Sequence, residues 1–294
     1  MRRSVATSAL ALTSFVAFAQ TAAPSASHWH HVHINATDPA RSVEFYTSKF
    51  DCEKARYQDK ADAVWAQKSW LLFDKVAKAP PHEIVSPIWH IGWGAEDMKA
   101  TYAKQVSSGT KFQTPITDIS DLAGRPPDSF FYVYVDGPDH ELIELNTANH
   151  HRFGHLHLLS LDPVAAADWY ASKLGLRVSG KQAQKREYKG FQVSPAAFLQ
   201  ADNVSIIIYP VEYARTQWPS VWNADRKDFE TTRGRAIDHV AFSVDDLNTT
   251  LMRLRADGVR VLSEPRAVLG VKSAMIEGPD HIAIELVEGQ GQKP

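Results

Sequence analysis

The stretch DGPDHELIEL, residues 136–145, returns as EGPDHIAIEL at residues 277–286, an offset of 141. In both copies a Gly-Pro turn feeds a short apolar run, and one acid, Glu144 or Glu285, sits inside that run. A carboxylate within a strand is costly to bury unless something pairs with it. The duplicated string therefore poses two questions, what repeats around it and what partners its acid.

Self-comparison answers the first, because an internal repeat constrains the fold before any single motif does. His31 and His33, Asp38-Pro39, Phe45-Tyr46 and Ser48-Lys49 recur as His155 and His157, Asp162-Pro163, Trp169-Tyr170 and Ser172-Lys173, all offset by 124. A second set links His90, Asp97 and Gly109 to His239, Asp246 and Gly258, all offset by 149. The chain thus reads as two duplicated halves, 29–150 and 151–290, divided in the polar run TANHHR at 147–152.

Each half divides again. HVHINAT from His31 reads as a strand that meets Asp38 as a helix N-cap, with Pro39 in the first turn and Val43, Phe45, Tyr46 and Phe50 turned inward. WHIGWGAEDM from Trp89 opens a second unit, whose helix carries Tyr102 and Val106 and ends at Gly109. Strand-like runs follow: SWLLFD, SFFYVYVD and ELIEL in the first half, VSIIIYP, SAMIEG and IAIEL in the second. The fold class is α+β, a βαβββ module four times over, with modules at 29–87, 88–150, 151–236 and 237–290.

The N-terminus reads separately. Arg2 and Arg3 precede a short apolar run over residues 9–18, and Ala17-Phe18-Ala19 supplies an A-x-A site. This is the pattern of a signal peptide, residues 1–19, cleaved after Ala19 and followed by a spacer at 20–28. The run is shorter than the roughly 20 residues a spanning helix needs, so no membrane anchor is expected and the mature protein is exported, periplasmic or secreted. A net charge of -2 gives no footprint for nucleic acid or a membrane surface. The lone Cys52 has no partner within the chain for a disulfide and reads as a half-buried residue near a helix end.

The pattern of Asp-Pro or Asp-Asp starting a helix, Phe-Tyr within it and a closing GPDxxxIEL resembles the vicinal oxygen chelate superfamily, which embraces glyoxalase I, bleomycin and fosfomycin resistance proteins and extradiol dioxygenases. The resemblance covers nearly the whole chain after the signal. It implies two paired-module domains, 29–150 and 151–290, each with a curved mixed sheet around a cleft. It further implies that the first-strand His of each module and the Glu of the closing strand are metal ligands. Carried over by position, the first half offers His31, His90 and Glu144, and the second His155, His239 and Glu285.

Two imidazoles and a carboxylate suit Fe2+, Mn2+ or Zn2+ and leave coordination positions open for a small substrate that chelates through neighbouring oxygens. Such a site serves dioxygenase, isomerase or lyase-type chemistry. The alternative implied by the same resemblance is a metal-free protein of the bleomycin-resistance type that sequesters a small molecule. SWLLFD and SIIIYP supply no Glu where glyoxalase I takes a further ligand, so three-ligand patterns fit better. Tyr134 occupies the place of a tyrosine characteristic of extradiol dioxygenases, and Met275 replaces it in the second half.

His33 and His157 share a strand face with His31 and His155, as residues two apart do, and are candidates for general acid or base. His28, His30, His82, His140, His150, His151 and His281 read as ordinary surface, core or turn residues. Trp93, Phe131, Tyr132, Tyr134, Trp218 and Trp222 are candidate pocket aromatics, Phe131 reading more simply as core. The long insert at 211–236 is placed either to lid the second cleft or to pack on a partner subunit in a homodimer.

Overall fold

The computed structural model describes residues 26–289; the signal segment at 1–19 lies outside them. All four βαβββ modules form. The first runs β1 (His28–Ala36), α1 (Pro39–Lys49), β2 (Glu53–Tyr57), β3 (Ala61–Trp65) and β4 (Trp70–Lys75). The second runs β5 (Ile88–Ala95), α2 (Met98–Ser107), β6 (Thr117–Asp118), β7 (Phe131–Asp136) and β8 (Leu142–Thr147). The third comprises β9 (Phe153–Ser160), α3 (Pro163–Leu174), β10 (Arg177–Tyr188), β11 (Phe191–Ala201) and β12 (Val204–Pro210), followed by α4 (Val211–Gln217). The fourth comprises β13 (Ile237–Val244), α5 (Leu247–Ala256), β14 (Val261–Val268), β15 (Val271–Glu277) and β16 (Ala283–Glu288). No helix among the described residues is long and apolar enough to cross a membrane.

The same device starts the first helix of every module. Asp38, Asp97, Asp162 and Asp246 are N-caps whose carboxylates accept from backbone N–H groups of the first turn, satisfying donors that have no partner within the helix. Gly109 and Gly258, both at φ +78, follow α2 and α5 in the left-handed conformation that glycine adopts at least cost. Cys52, partly buried just past α1, donates to the Tyr46 carbonyl at 3.0 Å, and burial pushes its thiol up to about 12.

The modules combine into two eight-stranded mixed sheets, but not half by half. The first sheet has the order β14-β15-β16-β13-β1-β4-β3-β2, and the second β10-β11-β12-β9-β5-β8-β7-β6. Module 1 therefore shares a sheet with module 4, and module 2 with module 3. Each sheet is joined at its middle by an antiparallel pair of first strands, with His33 opposite His239 and His90 opposite His157. The expectation that 29–150 and 151–290 each close a sheet of their own is corrected here. A duplication records which segments are alike; which free first-strand edges meet is decided by packing.

The linkers follow from that pairing. Residues 76–87 and the insert at 211–236 both run between the two sheets and bind each other: Trp222 Nε1 donates to the Ile84 carbonyl at 2.6 Å, and the Glu230 N–H to that of Val85 at 2.9 Å. Trp222 and Phe229 bury there with Trp89 and Leu142. The insert is thus an internal strap. On the faces turned from the clefts, Val32, Ile34, Ile91 and Trp93 enter one core with Tyr46, Phe153 and Phe242. Trp29 stacks on Phe153 at 5.6 Å and Trp93 lies 4.7 Å from Phe50, so aromatic packing joins the sheets.

Candidate metal centres

Period-2 alternation aims His31 and His33 of β1 into one cleft and His90 of β5 into the other. The closing strands deliver the acids in parallel register, Glu285 beside Ala241 and Glu144 beside Gly92. In the first sheet His31 Nε2 and His239 Nε2 lie 3.2 and 3.3 Å from Glu285 Oε2. In the second, His90 Nε2 lies 3.3 Å from Glu144 Oε2 and His155 Nε2 3.5 Å from Glu144 Oε1. The six residues converge as two sets, but the grouping differs from the sequence expectation. His31 joins His239 and Glu285, and His90 joins His155 and Glu144, because the central strand pair of each sheet comes from opposite halves.

The small residue two places after each module 2 or module 4 histidine makes room for the histidine arriving from the partner strand. Gly92 faces His155 across the β5–β9 pair, and a β-carbon there would lie 1.8 Å from His155 Cε1, far inside contact distance. Ala241 takes the corresponding register position opposite His31, where a β-carbon is accommodated.

The donor sets fit a divalent ion. The Nε2 atoms of His31, His90 and His155 are buried and meet only the carboxylate of their own cluster, at 3.2–3.5 Å, and His90 Nδ1 is buried without a hydrogen-bond partner among the described residues, an expensive arrangement for a polar atom. The nearest donor atoms of His90, Glu144 and His155 lie within 4.8 Å of one another, close to the span of ligands held about 2.0–2.2 Å from one ion. Electrostatics keep four of them in the ligating forms. Burial would raise Glu144, but the neighbouring His90 and His155 imidazoles and the Asn146 amide, 2.8 Å away, hold it at about 2. Burial would likewise raise Glu285, yet contacts with His239 and His31 keep it well below the usual carboxylate range. Burial lowers His31 to about 3 and His155 to about 4, leaving both neutral near pH 7.

Around the first centre a set of partners appears that sequence reasoning passed over. Asp238 Oδ1 lies 2.7 Å from His239 Nδ1 and is itself held by Arg233 Nε at 3.0 Å, while Asp238 Oδ2 accepts from the Gly234 N–H at 2.7 Å and Asn35 Nδ2 at 3.2 Å. A carboxylate on Nδ1 turns Nε2 toward the ion, the usual outer support of a ligating imidazole. Burial would lower His239, but Asp238 and Glu285 together raise it. His30, expected to be an ordinary residue, sits where the β1–β13 register shifts and places its Nδ1 2.8 Å from His31 Nδ1. The Asp-His dipeptide at 238–239 was the available signal; the matching place in module 2 is Trp89.

The clefts differ in lining. The first, about 300 Å³, is bordered by Asn35, Asp62, Asp74, Arg233 and Arg266. The second, about 470 Å³, is walled by Tyr132, Tyr134, Tyr209, Tyr213 and Trp89, with Arg186 at its edge. Of the expected pocket aromatics, Tyr132 and Tyr134 line it. Trp93 and Phe131 belong to the core, and Trp218 and Trp222 pack with the strap. Tyr134 pairs with Glu144 in register, its ring 5.3 Å from His90, and burial beside Glu144 raises its hydroxyl well above 10. His157 lies 4.8 Å from His90, and burial lowers it well below the usual histidine range.

The profile of the glyoxalase/bleomycin resistance protein/dioxygenase superfamily matches residues 28–145 and 152–286. The chain belongs to that superfamily. Among solved structures similar to this superfamily member, glyoxalase I from Zea mays aligns at 16% identity and a TM-score of 0.66, covering 90% of this chain and 92% of its own. A putative dioxygenase from Bacillus subtilis subsp. subtilis str. 168 aligns at 12% identity and a TM-score of 0.57, covering 89% and 84%. At such identities the likeness is one of fold. No curated protein sequence matches the chain.

Proposed function

We propose that this superfamily member is an exported enzyme, dependent on Fe2+, Mn2+ or Zn2+, that acts on a small substrate chelating the metal through neighbouring oxygens. The observation that carries this reading is the twofold convergence of two imidazoles on one ionised carboxylate, with the facing ring nitrogens buried. His31, His239 and Glu285 hold one ion, and His90, His155 and Glu144 the other. Bound there, a divalent metal supplies Lewis acidity to substrate oxygens.

The chain's own groups do the rest. In the second cleft Tyr134, kept protonated beside Glu144, donates a hydrogen bond to an incoming oxygen. His157, kept neutral by burial, offers a ring nitrogen as a hydrogen-bond acceptor to the substrate. The tyrosine walls exclude water and favour a flat or apolar body. That lining is also what favours the second reading, a metal-free protein that sequesters a small molecule.

The deciding measurement is elemental analysis of the exported protein, whose N-terminus is expected at Gln20, purified without added metal. Close to two equivalents of Fe, Mn or Zn are expected, with His239→Ala/Glu285→Ala and His90→Ala/Glu144→Ala each removing one. Metal content near zero in the wild type, with small-molecule binding that survives chelators, would establish the sequestering protein instead.

A further inference from the structure

His33 and His157 occupy the same place in modules 1 and 3, yet their surroundings differ. The His157 ring lies among the rings of Tyr209 and Trp89, at 4.5 and 4.7 Å. His33 instead joins the ligand cluster of its cleft: His31, His33 and His239 each bring a ring nitrogen within 4.8 Å of the other two. The strand register puts His33 directly opposite His239, and their rings stack with centroids 4.4 Å apart and planes 24° from parallel. Ligands about 2.1 Å from a shared ion stand at most about 4.2 Å apart. The 4.8 Å bound exceeds that span by about 0.6 Å, a gap that rotation of the His33 ring would close.

A second observation points the same way. A ligating histidine generally offers its other ring nitrogen to a carboxylate, carbonyl or similar group. In the first cleft His239 has Asp238 at 2.7 Å, His31 has His30 at 2.8 Å, and His33 Nε2 has Asp74 Oδ2 at 3.2 Å. No comparable partner stands behind His90, His155 or His157 among the described residues. His33 is thus held in the manner of the two histidines already assigned.

We propose that His33 is a fourth protein ligand of the first centre, through the ring nitrogen turned from Asp74, while the second centre keeps two imidazoles and one carboxylate. The inference rests on reading the clefts as metal sites. It makes His33 a ligand rather than a general acid or base. It also makes the two centres unequal, since a set with three nitrogen donors favours Cu2+, Ni2+ or Zn2+ over Mn2+ more strongly than a set with two.

The test uses the full chain with the second centre disabled by His90→Ala/Glu144→Ala, stripped of metal and given one equivalent of Cu2+. Pulsed electron paramagnetic resonance counts the coordinated imidazole nitrogens; three are expected, against two when the first centre is disabled by His239→Ala/Glu285→Ala. His33→Ala in the first background should lower the count to two and weaken Cu2+ binding by at least about tenfold, and Asp74→Asn should weaken binding while the count stays at three. The decisive count is read with His33 in place, so a poorly folding His33→Ala variant does not impair it. Two nitrogens in the unsubstituted first centre overturn the proposal and leave the metal reading standing. Failure of both backgrounds to bind Cu2+ overturns both.

Discussion

At Gly92 one hydrogen atom decides whether the second centre exists. The residue faces His155 across the central strand pair, and a β-carbon would lie 1.8 Å from the imidazole's Cε1. Gly92→Ala should therefore push His155 off Glu144, removing metal from that centre and costing about 1–3 kcal/mol as an overpacking change in a close-packed site. The control is Gly92→Ala/His155→Ala, in which the offending ring is gone. It should recover much of the lost denaturation midpoint and none of the metal. Equal metal stoichiometry in Gly92→Ala and the wild type would show that the strands absorb the methyl group and that glycine is incidental here.

Between elements, the turn before β8 reaches from the second sheet to α1 of the first. Glu141 is buried there, accepting from the Tyr46 hydroxyl at 2.7 Å and the Asp139 N–H at 3.0 Å, and Asp139 in turn accepts from the Thr37 hydroxyl at 2.6 Å. Burial raises the Glu141 carboxyl from 4.5 to about 7, against the hydrogen bonds that lower it. A carboxyl raised in the folded state favours folding fully below its unfolded value, near 4.5, and that contribution is lost as pH climbs through about 7. Glu141→Gln keeps both contacts, the amide oxygen accepting from Asp139 and the amide N–H donating to Tyr46, and carries no charge to bury. It should raise stability by about 1–3 kcal/mol at pH 8 and by little at pH 5, read as a gap in urea midpoints that opens with pH. A gap of the same size at both values would mean that Glu141 titrates as an exposed acid does. The elements themselves were legible in the sequence: capping aspartates, turn glycines and alternating apolar runs are local signals, and four copies reinforced one another. The residues that cluster at the candidate sites were legible too, because His31, His90, His155, His239, Glu144 and Glu285 recur at fixed offsets. What escaped was long-range. Asp74, Asp238 and His30 gained meaning only once β1 lay between β4 and β13. The hairpin of β10 and β11, rich in exposed charges, gave no sign that Arg186 borders a cleft.

Across the whole molecule, the exchange of modules between halves is the feature local sequence could not reveal. All four first strands carry a histidine and an exposed edge, so the pattern permits either pairing. The two linkers show which one packing selects: 76–87 and 211–236 bury against each other, as they must when both cross between the same two sheets. Neither half then owns a complete centre. Residues 26–150 hold His31 of one set and His90 with Glu144 of the other; residues 151–289 hold the remainder. Cutting the chain in the turn between β8 and β9, near residue 150, should give two fragments that copurify as a stable pair when coexpressed and bind about as much metal as the intact protein. Each fragment alone should bind weakly or not at all and should expose the first-strand edges that its partner covers, driving it to aggregate or to pair with a second copy of itself. The two patterns of assembly separate cleanly in a sedimentation experiment. Half-chains that run as soluble monomers, each with one tightly held metal ion, would restore the pairing of adjacent modules and remove the structural basis for both centres as assigned.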